Sequence, residues 1–134
     1  MSYQVRTDLQ WNGQDVKIRG RKVINKTTFE TGLIVQGQAV VLAPVDTGYL
    51  RGSIVTASNV KDTDTRPDNK GRKANGIDAP PTENEVWIGT SVEYAPAMEF
   101  LSQPFLRPSL DLAQGKALNI GEKNGRMEFK DYLK

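Results

Sequence analysis

Asp46-Thr47-Gly48 is the stretch of this chain whose residue types could do chemistry. An aspartate held in a tight turn becomes an acid–base catalyst of peptide hydrolysis when a second carboxylate shares its proton. A short chain reaches that arrangement by pairing two copies, so a length of 134 residues does not exclude it. The chemistry also requires a wide β-rich frame around the triplet and a second apolar-Gly-Arg or apolar-Gly-Asn signature downstream. Here a helix-like pattern precedes the triplet, Pro44 stands where a strand is needed, and no second signature follows. A motif outside its structural context is weak. The plainer reading is a turn that uses Asp and Gly for their geometry.

The remaining candidates are weaker. Gly115-Lys116 lacks the glycines and spacing of a phosphate-binding loop. The acidic residues between 62 and 78 have no calcium-loop register and no closing glutamate. Arg66, Lys70, Arg72 and Lys73 give the same stretch a basic centre that could touch nucleic acid or a protein partner. No aromatic residues interleave with them, and Asp62, Asp64, Asp68 and Asp78 offset their charge, which favours a solvated loop. The chain has no histidine and no cysteine, so the usual neutral-pH acid–base group, the commonest metal ligand and all thiol chemistry are missing. These observations lead to no enzyme, no metal site and no cofactor.

A net charge of +2 makes no global electrostatic case for DNA or an anionic membrane. The apolar fraction of 37% is low and the charged fraction of 25% ordinary, which implies a modest core with generous polar loops. One domain over 1–134 is the natural reading at this length. The N-terminus lacks the apolar run of a secretory signal. The longest apolar run, Ala39 to Ala43, is far short of the ~20 residues that span a bilayer. A soluble protein, folded where it is made, is the expectation.

Tyr3, Val5, Leu9 and Trp11 alternate with Gln4, Arg6, Asp8 and Gln10, which predicts a half-buried strand over 3–11. From Gln14 to Leu42 the positions Val16, Gly20, Val23, Thr27, Thr31, Ile34, Gln38 and Val41 recur at spacings of three and four, one face of a long helix. Gly20 and Gly32 each weaken that helix by ~1 kcal/mol relative to alanine. Pro44 ends it, and Asp46 to Gly48 make a rigid corner in which Gly48 takes positive φ. Ser53 to Lys61 reads as a strand, with Ile54 and Val60 on one side and Val55 and Ala57 on the other. Residues 62–84 have no periodicity and are expected to form a mobile loop. Glu85 to Val92 alternates cleanly, with Val86, Ile88 and Val92 inward and Trp87 outward, where it awaits cover by another element or subunit. The two strands flanking the loop should pair antiparallel. A second helix carries Leu106, Leu110, Ala113, Ala117 and Ile120 on one face and breaks at Gly121 to Gly125. The tail, 122–134, could fray, add a strand or dock on a neighbour.

The expected fold is therefore α+β: a small antiparallel sheet of about three or four strands, packed by a long N-terminal helix and a second C-terminal helix. If the corner around Pro44, Asp46, Thr47, Gly48, Leu50 and Arg51 packs on the segment holding Tyr94, Glu99, Phe100, Phe105, Arg107 and Pro108, charge pairs such as Arg51–Glu99 or Asp46–Arg107 could lock it. Surface charge is the equal alternative for these residues.

Three blocks in order resemble a known family. Pro44-Val-Asp-Thr-Gly-Tyr-Leu-Arg-Gly-Ser-Ile54 resembles the Pro-Val-Asp-Thr-Gly-x-Leu-x-x-Ser-Ile signature of small neck proteins of long-tailed bacteriophages, variously called tail-completion, head–tail joining or minor tail proteins. Val86-Trp-Ile-Gly-Thr90 followed by Tyr94-Ala-Pro-Ala-Met-Glu-Phe100 is similar to that family's Val-Gly-Thr strand and Tyr-Ala-x-x-x-Glu-Phe segment. Pro104-Phe-Leu-Arg-Pro-Ser-Leu110 is similar to its Pro-Phe-Leu-Arg-Pro-Ala-Leu block. The chain departs from the family after Phe100, where Leu101-Ser102 runs almost directly into Gln103-Pro104, and shows no match in 62–84 or beyond Gly121.

The resemblance implies a non-enzymatic structural protein of the virion, present in the host cytoplasm during assembly. It would complete the tail, or join tail to head, as a six-fold ring of its own copies in the neck. Its neighbours would be a tail terminator or tail tube protein and a head-closure connector protein, with DNA passing through the lumen without sequence-specific binding and no membrane involved. The alternatives are a dimeric aspartic protease using Asp46 and a small nucleic-acid-binding module using the 66–73 basic loop.

Overall fold

The computed structural model describes residues 13–45 and 48–132. The strand predicted over 3–11, the corner residues Asp46 and Thr47, and the last two residues of the tail lie outside them. Helix α1 (Gly13–Leu42) leads through the corner into a short helix α2 (Tyr49–Ser53). Strand β1 (Val55–Ala57) and strand β2 (Trp87–Gly89) are separated by the long loop. A helical turn α3 (Ala95–Ala97) continues as a π-type turn over Met98–Ser102, and α4 (Leu106–Glu128) closes the fold before a last 3-10 turn at Lys130–Tyr132. No described helix is long and apolar enough to cross a membrane.

The α+β class stands, but the sheet has two strands among the described residues, where three or four were expected. They pair antiparallel, with Val55 opposite Gly89 and Ala57 opposite Trp87, so the pairing across the loop is as predicted. Two local choices shorten the expected strands. Residues 49–53 spend their backbone bonds on a helical turn, and Ser58 folds β1 over: its N–H and its hydroxyl both donate to the Lys61 carbonyl, at 3.0 and 2.7 Å. Val60 is consequently 79% exposed and shares no face with buried Ile54. The free side of β1 is taken by the returning loop, where Thr63 N–H donates to Thr56 O at 2.9 Å and Ala57 bridges Asp62. The loop has no regular structure, yet its first part is tied to β1 by these bonds.

Helices α1 and α4 pack antiparallel. Gln103 Nε2 reaches Leu42 O at one end (2.6 Å) and Arg19 Nη1 reaches Glu128 O at the other (3.3 Å). The buried line of α1 runs through Gly32, Val35 and Ala39, one position off the predicted Thr31–Ile34–Gln38 positions, and continues just past the helix at Ala43, leaving the predicted Val41 64% exposed. Small residues take the line because the sheet presses close: a Cβ on Gly32 would stand 2.8 Å from Val86 Cγ1 and 3.0 Å from Thr56 Cγ2. In α4 the predicted Ala113 is fully buried, whereas Ser109 replaces Leu110 on the inner face. The predicted break at Gly121–Gly125 does not occur, and α4 runs through both glycines. Gly121 abuts Thr27 of α1, and buried Asn124 donates to Thr27 Oγ1 at 3.1 Å, so packing outweighs the glycines' poor helix propensity.

Phe105, Ile54, Leu50, Val92, Ala39 and Ala43 are the heart of a compact core at the corner end of the helix pair. Gly52 makes the tightest approach there: its carbonyl accepts the Arg66 N–H at 2.7 Å, and a Cβ would run into the Arg66 carbonyl. Gly20, by contrast, has nothing within 4 Å of a Cβ. In urea titrations, Gly20→Ala is expected to stabilise the chain by about 0.5–1 kcal/mol through helix propensity. Gly52→Ala is expected to destabilise it by roughly 1–3 kcal/mol through overpacking.

Candidate functional site

The corner is a joint between two helices. Gly48 precedes α2 with φ 86°, the left-handed conformation expected from the sequence. Leu50 is 3% exposed and packs in the core, while Pro44 is half-buried beside it. Arg51 has the decisive contacts. Its Nε donates to Ala43 O and its Nη2 to Val41 O, both at 3.1 Å, and Gln103 takes the Leu42 carbonyl between them. The last carbonyls of α1 have no partners within the helix, and α1 has no basic residue in its own last turn. A cation from α2 therefore supplies both the hydrogen bonds and the favourable charge at the negative end of the helix.

Glu99 does the reverse at the start of α4. Its carboxylate accepts the backbone N–H groups of Phe105 (2.7 Å), Leu106 (2.9 Å) and Arg107 (2.9 Å). These are N–H groups at the helix start, which a helix cannot satisfy internally. Pro108, lacking an N–H, sits in the same first turn, where none is needed. Partial burial pushes the Glu99 pKa up, but the three backbone N–H bonds and the Arg107 charge outweigh that and hold it below the ordinary value. The predicted Arg51–Glu99 pair does not form, because each side chain is spent on a helix end. The proposed Asp46–Arg107 pair involves a residue outside those described.

The block around Glu99 divides sharply. Phe105 is fully buried, whereas Tyr94 is 46% exposed and Phe100 81% exposed, so Phe100 does not join the packing predicted for it. Leu101 is 86% exposed beside it. Both lie on the π-type turn, which the Gln103–Leu42 bond holds against the end of α1 where Val41 and Val45 are also exposed. A hollow of about 480 Å³ opens next to this tip, lined by Pro44, Val45, Tyr49, Leu50, Arg72, Tyr94 and Met98. No carboxylate lines it among the described residues.

In the loop, Asp68 is the organiser that the sequence reading missed. Its carboxylate is buried and accepts the Lys70 N–H (2.9 Å), the Arg72 N–H (2.7 Å) and Arg72 Nε (2.8 Å), shaping a turn completed by Gly71 at φ 78°. An aspartate bonding N–H groups ahead of it, with glycine three residues on, was the available signal. Arg72 also lies over the Tyr49 ring at 5.5 Å. Lys73 pairs with Asp64 at 2.7 Å and holds that carboxyl below its usual range. Arg66 Nη2 points to Arg51 O (3.4 Å). Of the four cations proposed as partner contacts, Lys70 alone has a charged group with no partner among the described residues. Trp87 is 43% exposed on β2, outward as predicted. Gln36 was missed as well: its Oε1 accepts Thr56 Oγ1 (2.8 Å) and Thr63 Oγ1 (3.1 Å), joining helix, strand and loop.

The chain matches no protein-family model, no curated protein and no solved structure. Among the described residues no three His, Cys, Asp or Glu side chains cluster to hold a metal.

Two substitutions test the helix-end contacts. Gly48→Val forces a β-branched residue into positive φ and is expected to cost roughly 1–3 kcal/mol in chemical denaturation. Glu99→Gln is expected to cost about 1 kcal/mol at neutral pH, the scale of a lost helix cap. Because the folded pKa is depressed, the Glu99 contribution is complete above the unfolded carboxylate value of about 4.5 and disappears as pH falls through the lower folded value. Unfolding midpoints should therefore fall on acidification below that value in the native chain, and less steeply in Glu99→Gln.

Proposed function

We propose that this chain is a structural protein of a tailed-bacteriophage virion that completes the tail or joins it to the head, assembling with its own copies as a six-fold ring in the neck. The observation that carries the reading is the apolar tip. Phe100 and Leu101 are more than four-fifths exposed on a turn that is firmly positioned at both ends, by Glu99 on one side and Gln103 on the other. Apolar side chains this exposed on a turn fixed by hydrogen bonds suit a unit that finishes its packing against a neighbour.

The three family-like blocks fit such a unit. Each contributes to positioning: Arg51 from the first block closes α1, Glu99 from the second opens α4, and Phe105 from the third fills the core. Their shared task is to set a joint, which is a scaffold's requirement and makes no demand for a reacting group. Ring neighbours would meet the tip, while a tail terminator or tail tube protein and a head-closure connector would take the two faces of the ring.

The test is complementation with a charged tip. Phe100→Asp with Leu101→Asp is expected to leave the far-ultraviolet circular dichroism and the unfolding midpoint of the isolated chain near the native values. In a phage host lacking the native gene product, the same variant should leave separate heads and tails in electron micrographs. Normal particle yield from the folded double variant would overturn the reading.

A further inference from the structure

Three asparagines in the chain are followed by glycine: Asn12, Asn75 and Asn124. That dipeptide carries a chemistry of its own. The glycine has no side chain to shield its backbone nitrogen, which can attack the side-chain amide carbon of the asparagine before it. Asn12 lies outside the described residues, and the other two stand in opposite surroundings. Asn124 is 3% exposed inside α4, and its Nδ2 donates to Thr27 Oγ1 at 3.1 Å and to Glu30 Oε2 at 3.4 Å. A helical backbone and a side chain held from α1 keep its amide carbon away from the Gly125 nitrogen. Asn75 is exposed in the long loop, outside any helix or strand. No group among the described residues accepts the Gly76 N–H, and none there holds the Asn75 side-chain amide.

We infer that Asn75 is a site of spontaneous conversion to isoaspartate, a modification that unties the second limb of the loop. The Gly76 nitrogen bonds to Asn75 Cγ, the bond from Cγ to Nδ2 breaks, and ammonia leaves carrying the proton that the nitrogen gave up. Water then opens the resulting cyclic imide. Opening at Cγ leaves aspartate; opening at the α-carbonyl leaves isoaspartate, whose main chain runs through Cβ and Cγ. The steps are redox-neutral and consume only water. Their consequence is local to the loop. The Asn75 carbonyl accepts the Ser91 hydroxyl at 2.6 Å, just past β2. Its neighbour Ala74 is buried in the core, with its carbonyl accepting Thr65 Oγ1 at 2.7 Å. In isoaspartate the α-carbonyl of residue 75 becomes part of a carboxylate, and Gly76 hangs one methylene further along the chain. Ala74 keeps its seat, while the bond to Ser91 no longer sets the course of residues 77–86. Loosening of this kind needs no opening of the helices.

Peptide-resolved mass spectrometry of the full chain, incubated at neutral and at mildly alkaline pH, tests the site. Exchange of the amide nitrogen for oxygen should accumulate at Asn75 several-fold faster than at Asn124, and faster at the higher pH. In urea the two rates should converge, because the fold alone shelters Asn124. Gly76→Ala is the sharper control. A Cβ there meets nothing within 4 Å and the backbone is not left-handed, so the variant keeps its fold while the added methyl slows the attack several-fold. A native-state rate at Asn75 no higher than at Asn124, a rate indifferent to pH, or a Gly76→Ala chain that converts as fast as the native one would overturn the assignment. A difference that persists in urea would place its cause in the sequence and overturn the structural argument. The consequence has its own readout. After conversion, amide hydrogen exchange should quicken through residues 77–86 and stay unchanged in α1 and α4, and Ser91→Ala should quicken the same stretch without any conversion. Unchanged exchange across 77–86 in the converted chain would overturn the untying.

Discussion

Unsatisfied backbone groups at two helix ends are the constraint on which the rest of the structure depends. A long helix that stops inside a fold leaves carbonyls pointing at whatever follows, and one that starts there leaves N–H groups. This chain answers both with side chains from elsewhere in the sequence: Arg51 and Gln103 at the end of α1, Glu99 at the start of α4. Because Gln103 lies between Glu99 and α4, the two ends are held by one short segment. The direction of α4 relative to α1 follows from that, and so does the position of the tip at Phe100 and Leu101.

Close approach is the second theme. The faces that meet are lined by glycine, alanine, serine and threonine more than by large apolar residues: Gly32 under the sheet, Ala39 and Ala43 in the core, Ser109 and Ala113 on α4, Gly121 against Thr27. Such faces gain less from burial per residue than leucine-rich ones, and hydrogen bonds from buried hydroxyls supplement them. Ser53 reaches Leu50 O and Thr90, Thr56 reaches Gln36, and Thr65 reaches Ala74 O. The low apolar content of the sequence thus appears as a tight, partly polar core.

Much of this was legible beforehand and some was not, for identifiable reasons. The long first helix, the positive φ of Gly48, the antiparallel pairing across the loop and outward Trp87 all follow from local patterns. The helix face was misplaced in its second half because large residues were taken as the buried ones, whereas the sheet's proximity selects small ones. Gly121 and Gly125 were read as a break because propensity speaks for an isolated helix; contact with Thr27 and Glu30 overrides it. Arg51 and Glu99 each hold a helix end instead of each other, since opposite charges suggest each other in a sequence while the stronger demand comes from backbone dipoles. Nothing local distinguishes Gln36 or Gln103, whose partners lie 20 or more positions away.

The antiparallel course of α1 and α4 gives the molecule two unlike poles. At one, Arg19 meets Glu128 and approaches Asp131, so both ends of the described helical frame lie there. At the other, about 45 Å away by the length of a 30-residue helix, stands the hydrophobic tip. The described frame thus presents a charged pole and an apolar one, far enough apart that a companion seated on one leaves the other accessible.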